Sequence, residues 1–156
     1  MNSLGNMIGE ICKVILPINE ESYQGNNNSS IAVCTLSSLN LLRKMTNSGI
    51  LEHISIVGRL LSENKGIDAI IRHVNQNKKI RTIIVCGKEV SGHKAGHSLF
   101  KLYQNGIENK GRIIGSTSPD PFLTVTESQV KYFQNEISLV NMINETDFNK
   151  IKQKII

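Results

Sequence analysis

An α/β fold, with a mainly parallel sheet and helices on both faces, is what the sequence predicts. Three observations carry that expectation. Apolar runs of strand length alternate with segments whose apolar residues recur at helical spacing. The strand-like runs are unbroken rather than alternating, as strands covered on both faces require. The 156 residues contain no linker, no internal repeat and no low-complexity tract beyond one Asn-Ser loop, so a single domain, 1–156, is expected. This combination describes a Rossmann-like architecture.

The elements follow in order. "ICKVILPI" is a short β-like run, and "NEESYQGNNNSS" is polar and Asn-rich, hence a loop. "IAVCTLS" is a buried strand by its continuous apolar run, and Ser37 or Ser38 is placed to cap a helix reaching about Lys44. "ISIVGRL" is the next strand. In "SENKGIDAIIRHVNQN", Ile67, Ile70, Ile71 and Val74 fall on one helical face. "IRTIIVCG" is the strongest strand in the chain. "GHKAGHSLFKLYQNG" is a helix ended by Asn-Gly. "GRIIGST" reads as a strand and "SPDPF" as a turn, because proline forbids continuation. "ESQVKYFQNE" is helical, "ISLVNMI" is a last strand, and "ETDFNKIKQKI" closes as a helix capped near Asn144 or Thr146.

Composition narrows the function classes. Hydrophobic residues make up 39% and charged residues 20%, a globular balance, and without Trp the core must be mostly Ile, Leu and Val. The net charge is +5, which invites a nucleic-acid reading. The lysines are spread along the chain, however, and no basic run is interleaved with aromatics that would stack bases. A solvated basic surface accounts for the charge. Cys12, Cys34 and Cys86 are odd in number and two sit inside apolar runs, the pattern of reduced buried thiols, so a cytoplasmic setting is expected. No apolar run approaches the ~20 residues of a membrane span, and the N-terminal stretch "MNSLGNMIGEICKVILPI" lacks the basic and long apolar regions of a signal peptide.

In parallel sheets of this kind, ligands bind beyond the carboxyl ends of the strands. Residues 87–96, "GKEVSGHKAG", lie there, after the strongest strand. Gly87, Gly92 and Gly96 let backbone pass close to a ligand or to a neighbouring helix. His93 then points from a loop or first helical turn into the crevice, unless it only caps its own helix. His97 lies one turn on and can equally face solvent. Two histidines at i and i+4 can share a zinc ion, but Lys94 stands where the usual Glu would follow the first His. The glycine spacing is not that of a dinucleotide fingerprint. Ser91, His93 and Glu89 are close in sequence, which does not supply triad geometry. His93 to Gly96 is also His-x-x-Gly, the spacing by which cobalamin-binding Rossmann domains present imidazole to cobalt; Ser91 stands where those domains carry Asp.

The segments "SENKGIDAIIRHV", "IRTIIVCGKEVSGHKAGHSL" and "LYQNGIENKGRIIGSTSPDPFL" together resemble the A subunit of the tetrahydromethanopterin S-methyltransferase. "SYQGNNNSSIAVCTLSS" is similar more loosely, so the resemblance runs from about Tyr23 to the C-terminus. It implies a corrinoid cofactor, cobalamin with its cobalt, and His93 as axial ligand. It also implies a carrier that cycles between Co(I) and methyl-Co(III), from a methylated pterin-type donor to a thiol acceptor. Donor and acceptor methyltransferase proteins are the implied partners, in one-carbon metabolism related to methanogenesis. Glu63, Asn64, Gly66, Gly87, Glu89, Gly92 and Gly96 match the family's pattern. Ser62, Glu63 and Asn64 are expected to line the crevice, with Gly115, Ser116 and Thr117 as a further contact segment. Ser91 or Glu89 is expected to hold the other nitrogen of the ligating imidazole. The family usually has Gln at the place of His97.

Two departures limit the transfer. The family carries a C-terminal membrane anchor and works in a sodium-pumping complex, whereas this sequence ends at Ile156 with no apolar tail and resembles the corrinoid domain alone. "TSPDPF" is also more polar than the family's version of that loop. A cobalamin-binding or assembly module without turnover, and a zinc protein using His93 and His97, are the other readings. A homo-oligomer is left open.

Overall fold

The computed structural model describes residues 21–156. The expected first strand, "ICKVILPI", and Cys12 lie outside the described residues. A five-stranded sheet is built from β1 (Ser22–Gln24), β2 (Ile31–Cys34), β3 (Ile56–Gly58), β4 (Thr82–Gly87) and β5 (Ser138–Ile143). The spatial order is β1-β3-β2-β4-β5. β2, β3, β4 and β5 run parallel, and only the edge strand β1 is antiparallel, on β3. The α/β expectation is borne out.

Alternate residues of each central strand feed two cores. Ala32, Cys34, Ile83 and Val85 face one side, where Ile67 and Ile71 of α2 (Lys65–Gln76), Leu99 and Leu102 of α3 (Ala95–Asn105), and Val130 and Phe133 of α4 (Glu127–Glu136) close over them. Val33, Ile84 and Cys86 face the other side, under α1 (Leu39–Thr46) and α5 (Phe148–Lys152). Each fully buried Ile, Leu or Phe contributes about 1.5–3 kcal/mol by leaving water, and this two-sided burial is why the strands read as unbroken apolar runs. The chain steps outward from β2 to β3, then back past β2 to β4. The reversal puts α1 and α2 on opposite faces, as right-handed crossovers require, and opens a switch point between the carboxyl ends of β2 and β4.

Several local expectations are corrected. "GRIIGST" is not a strand of the sheet. Residues 109–111 form a 3-10 turn, and the segment makes only isolated bridges, Ile107 to Ile113 and Arg112 to Phe122. Positive φ at Lys110, Gly111 and Gly115 breaks extension there, and a Cβ at Gly111 would collide with the Leu123 carbonyl. The "SYQ" of the expected loop is β1, a polar edge strand with all three residues exposed, so no apolar run announced it. Ser38 occupies the N-cap place of α1, but its Oγ accepts from the backbone of Lys88 instead, at 2.8 Å. α5 is capped by Asp147, whose side chain accepts from Asn149 N at 2.9 Å, rather than by Asn144 or Thr146.

Candidate functional site

Three loops meet beside the carboxyl edge of the sheet. One follows β3 and leads into α2, one follows β4 and leads into α3, and the third, residues 114–125, returns from α3 to α2. Each is fixed by sequence-local hydrogen bonds. Ser62 Oγ accepts from Gly66 N at 2.8 Å and Asn64 Oδ1 from Lys65 N at 2.7 Å, so both side chains satisfy the opening turn of α2.

The returning segment is a strap. Asn105 Nδ2 holds the Ile114 carbonyl at 2.9 Å. Ser98 Oγ lies 2.6 Å from both Ser116 and Ser118 Oγ in a buried hydroxyl cluster. Asn64 Nδ2 donates to Asp120 Oδ2 at 3.0 Å, and buried Asp68 accepts from Thr124 and Val125. The "SPDPF" turn is thereby clamped from α3 across to α2.

Within this frame Glu63 is 1% exposed. Its Oε1 accepts from Asp120 N at 3.0 Å and its Oε2 lies 2.9 Å from His93 Nδ1. Burial alone would push the Glu63 carboxyl up. The backbone N–H groups of Glu63 and Asp120, with the His93 ring, outweigh it and hold the group below the ordinary carboxylate range. A carboxylate only accepts, so this bond requires the proton on Nδ1 of His93. Nε2 is then the lone-pair nitrogen of the neutral ring, and no hydrogen bond among the described residues engages it. The side chain is 58% exposed. His93 sits in the turn before α3, which begins at Ala95 after Lys94 in the left-handed region.

The other expected residues fall into place differently. Gly92 has φ +80 and open space where a Cβ would point, so the tip of the turn can be approached closely. Ser91 is exposed and its side chain makes no hydrogen bond among the described residues; Glu63, not Ser91 or Glu89, holds the His93 ring. Glu89 turns inward and accepts from Gly96 N and His97 N. A Cβ at Gly87 would collide with the Thr35 carbonyl, so that glycine serves the approach of β2 to β4. Gly66 is buried in the first turn of α2. Gly115 turns the strap at φ +82, Ser116 belongs to the hydroxyl cluster, and Thr117 is exposed.

His97 is engaged elsewhere. Its Nε2 accepts from Thr117 N at 3.2 Å. Burial, then Lys101 and Lys94, push its pKa below the ordinary imidazole value, with Glu89 opposing. Among the described residues, no group of three or more His, Cys, Asp or Glu is placed to hold a metal ion. Sequence reasoning misses Asp120 and two of the three buried serines of the hydroxyl cluster, Ser98 and Ser118. Pro119 and Pro121 flanking Asp120 are the available signal, since they fix the chain on both sides of its donating N–H.

A loop-presented imidazole, backed by a buried carboxylate at the carboxyl edge of a doubly wound sheet, defines the class of site. The family model for the A subunit of tetrahydromethanopterin S-methyltransferase matches residues 14–156. The chain is 40% identical over 137 residues to the A subunit of the methyltransferase named Mtx from Methanosarcina barkeri, covering 86% of this chain and 66% of that one. It is 38% identical to the tetrahydromethanopterin S-methyltransferase A subunit of Methanosphaera stadtmanae, covering 84% of this chain and 51% of that one. It is 32% identical to the first of the numbered A subunits of that enzyme from Methanothermobacter thermautotrophicus, covering 88% and 57% respectively. The chain belongs to the family of tetrahydromethanopterin S-methyltransferase A subunits. It spans between about half and two thirds of the length of these relatives. No helix among the described residues is long and apolar enough to cross a membrane.

Proposed function

We propose that this chain is a corrinoid carrier domain in methyl transfer, with His93 Nε2 as the axial ligand to cobalt. The observation that carries the reading is the His93–Glu63 pair: one ring nitrogen is fixed by a buried carboxylate, and the other, on an exposed turn, makes no hydrogen bond among the described residues. The donor set suits the group, because imidazole is a ligand for such a metal centre only in its neutral form. A corrinoid held there would supply a cobalt centre that takes up and gives away a methyl group.

The chain's own residues have separate tasks. His93 presents Nε2, Glu63 keeps the proton on Nδ1, and the Asp120 N–H shares the Glu63 charge. Gly92 leaves the tip of the turn without a side chain. Thr117 and Gly115, exposed on the strap, are available to the polar rim of the cofactor. The relatives are named as components of a methyltransferase. By that likeness the methyl donor is of pterin type, the acceptor is a thiol, and both are served by partner methyltransferase proteins. Both described cysteines are buried, in keeping with the cytoplasmic setting proposed here.

The test is an absorbance titration with hydroxocobalamin, wild type beside His93→Ala, after desalting. Retained corrin, with a ligand-dependent spectrum that changes in the variant, is the expected result. No retention by wild type under oxidising and reducing conditions overturns the carrier reading.

A further inference from the structure

We infer that Glu89 is a positioning residue for His93: its carboxylate closes the loop between β4 and α3 into a ring and so aims the imidazole. The inference rests on the proposed reading of His93. Oε1 accepts from Val90 N at 2.8 Å and from Gly96 N at 2.9 Å, and Oε2 accepts from His97 N at 2.8 Å. One side chain thus ties the start of the loop to the first turn of α3. Gly96 N and His97 N are donors that an N-cap side chain would ordinarily satisfy. Here the N-cap is Lys94, whose side chain offers no acceptor and which stands at φ +49. Glu89 takes over the cap from upstream of Lys94.

The root of the loop is fastened as well. Glu89 N donates to Asn144 Oδ1 at 3.1 Å, and Ser37 Oγ donates to the Lys88 carbonyl at 2.8 Å. Lys94 N bonds the Val90 carbonyl at 2.8 Å. Beyond those ties lies the tip, Ser91 to His93, where the Glu63 carboxylate meets the ring that the closed loop delivers to it. The carboxylate also fills the anion position at the α3 N-terminus, so the turn, and not the helix end, is the presenting element. Gly96 makes this possible, because a Cβ there would lie 2.9 Å from Glu89 Oε2.

The ring tautomer of His93 decides the matter, read by long-range proton–nitrogen correlation on the full chain without cofactor. Wild type is compared with Glu89→Gln, with Gly96→Ala, which crowds the same carboxylate from the helix side, and with Thr126→Ala. The last removes the capping box of α4, whose side-chain hydrogen bonds run between Thr126 and Gln129. Wild type is expected to hold the proton on Nδ1. Both loop variants are expected to shift the population towards Nε2–H and to weaken hydroxocobalamin binding about tenfold, while Thr126→Ala leaves the tautomer as it is. An unchanged tautomer in both loop variants overturns the inference, and so does an equal shift in Thr126→Ala. If wild type retains no corrin, the carrier reading fails, while the tautomer comparison still decides the role of Glu89.

Discussion

Replacing Glu63 by Gln tests whether the buried carboxylate sets the chemistry of His93. The amide has nearly the same shape, so the core around residue 63 is kept. Its single carbonyl oxygen can accept from Asp120 N or from His93 Nδ1, but no longer from both with a full charge. If the oxygen stays with Asp120, an NH2 faces His93 Nδ1. The ring must then accept there and carry its proton on Nε2. A hydrogen bond to a charged group is worth ~1.5–3 kcal/mol. With the His93 side chain 58% exposed, solvent screening reduces this to about 1–2 kcal/mol. That is roughly a five- to thirtyfold change in an equilibrium constant. We expect Glu63→Gln to move His93 from Nδ1–H towards Nε2–H in nitrogen-resolved NMR, and to weaken hydroxocobalamin binding by that factor. A variant with the wild-type tautomer and unchanged affinity would refute the argument, because the carboxylate would then be only a tether for the Asp120 backbone.

Two further outcomes are expected. Because the folded protein holds His97 below the ordinary imidazole pKa, its contribution to stability is full above the unfolded value of about 6.5 and is lost as pH falls through the lowered folded value. Urea midpoints at pH 7.5 and pH 5.5 should therefore drop more in wild type than in His97→Gln; equal drops would remove His97 from the account. Phe133 is fully buried and packs edge-on against Tyr103 at 5.4 Å, so Phe133→Ala should cost about 3–5 kcal/mol in chemical unfolding. A loss below about 1 kcal/mol would mean that this part of the core collapses onto the gap.

What is legible in the sequence is whatever burial writes as a pattern. β4 reads as "TIIVCG" because both its faces are covered, and α2 reads from Ile67, Ile71 and Val74 because one face is. α4 is legible to the residue, since Thr126 and Gln129 form a capping box that marks its start. "GRIIGST" misleads because Ile113 is fully buried, yet it is buried by a looping strap rather than by a sheet. Apolar content reports burial and not the backbone path. The site divides in the same way. His93 stands out among its glycines, whereas its partner Glu63 is 30 residues away, and no local spacing encodes a contact made between two loops. Glu89 is notable in the sequence but its task is not readable there, because a helix cap supplied from upstream of the N-cap has no short sequence signature.

The buried position of Glu63 also explains the strap. A carboxylate at 1% exposure is tolerated only with its lone pairs satisfied, and His93, on an exposed turn, satisfies part of one oxygen. The Asp120 N–H satisfies the other oxygen, and a backbone donor can be delivered there only if residues 116–125 cross from α3 to α2. The serine cluster fixes one end of that crossing, and Asp68, with its bonds to Thr124 and Val125, fixes the other. The strap is therefore part of the His93 site although it adds nothing to the sheet. Changes at Ser98 or Asp68, whose side chains bond to the strap, should reach the imidazole through Glu63.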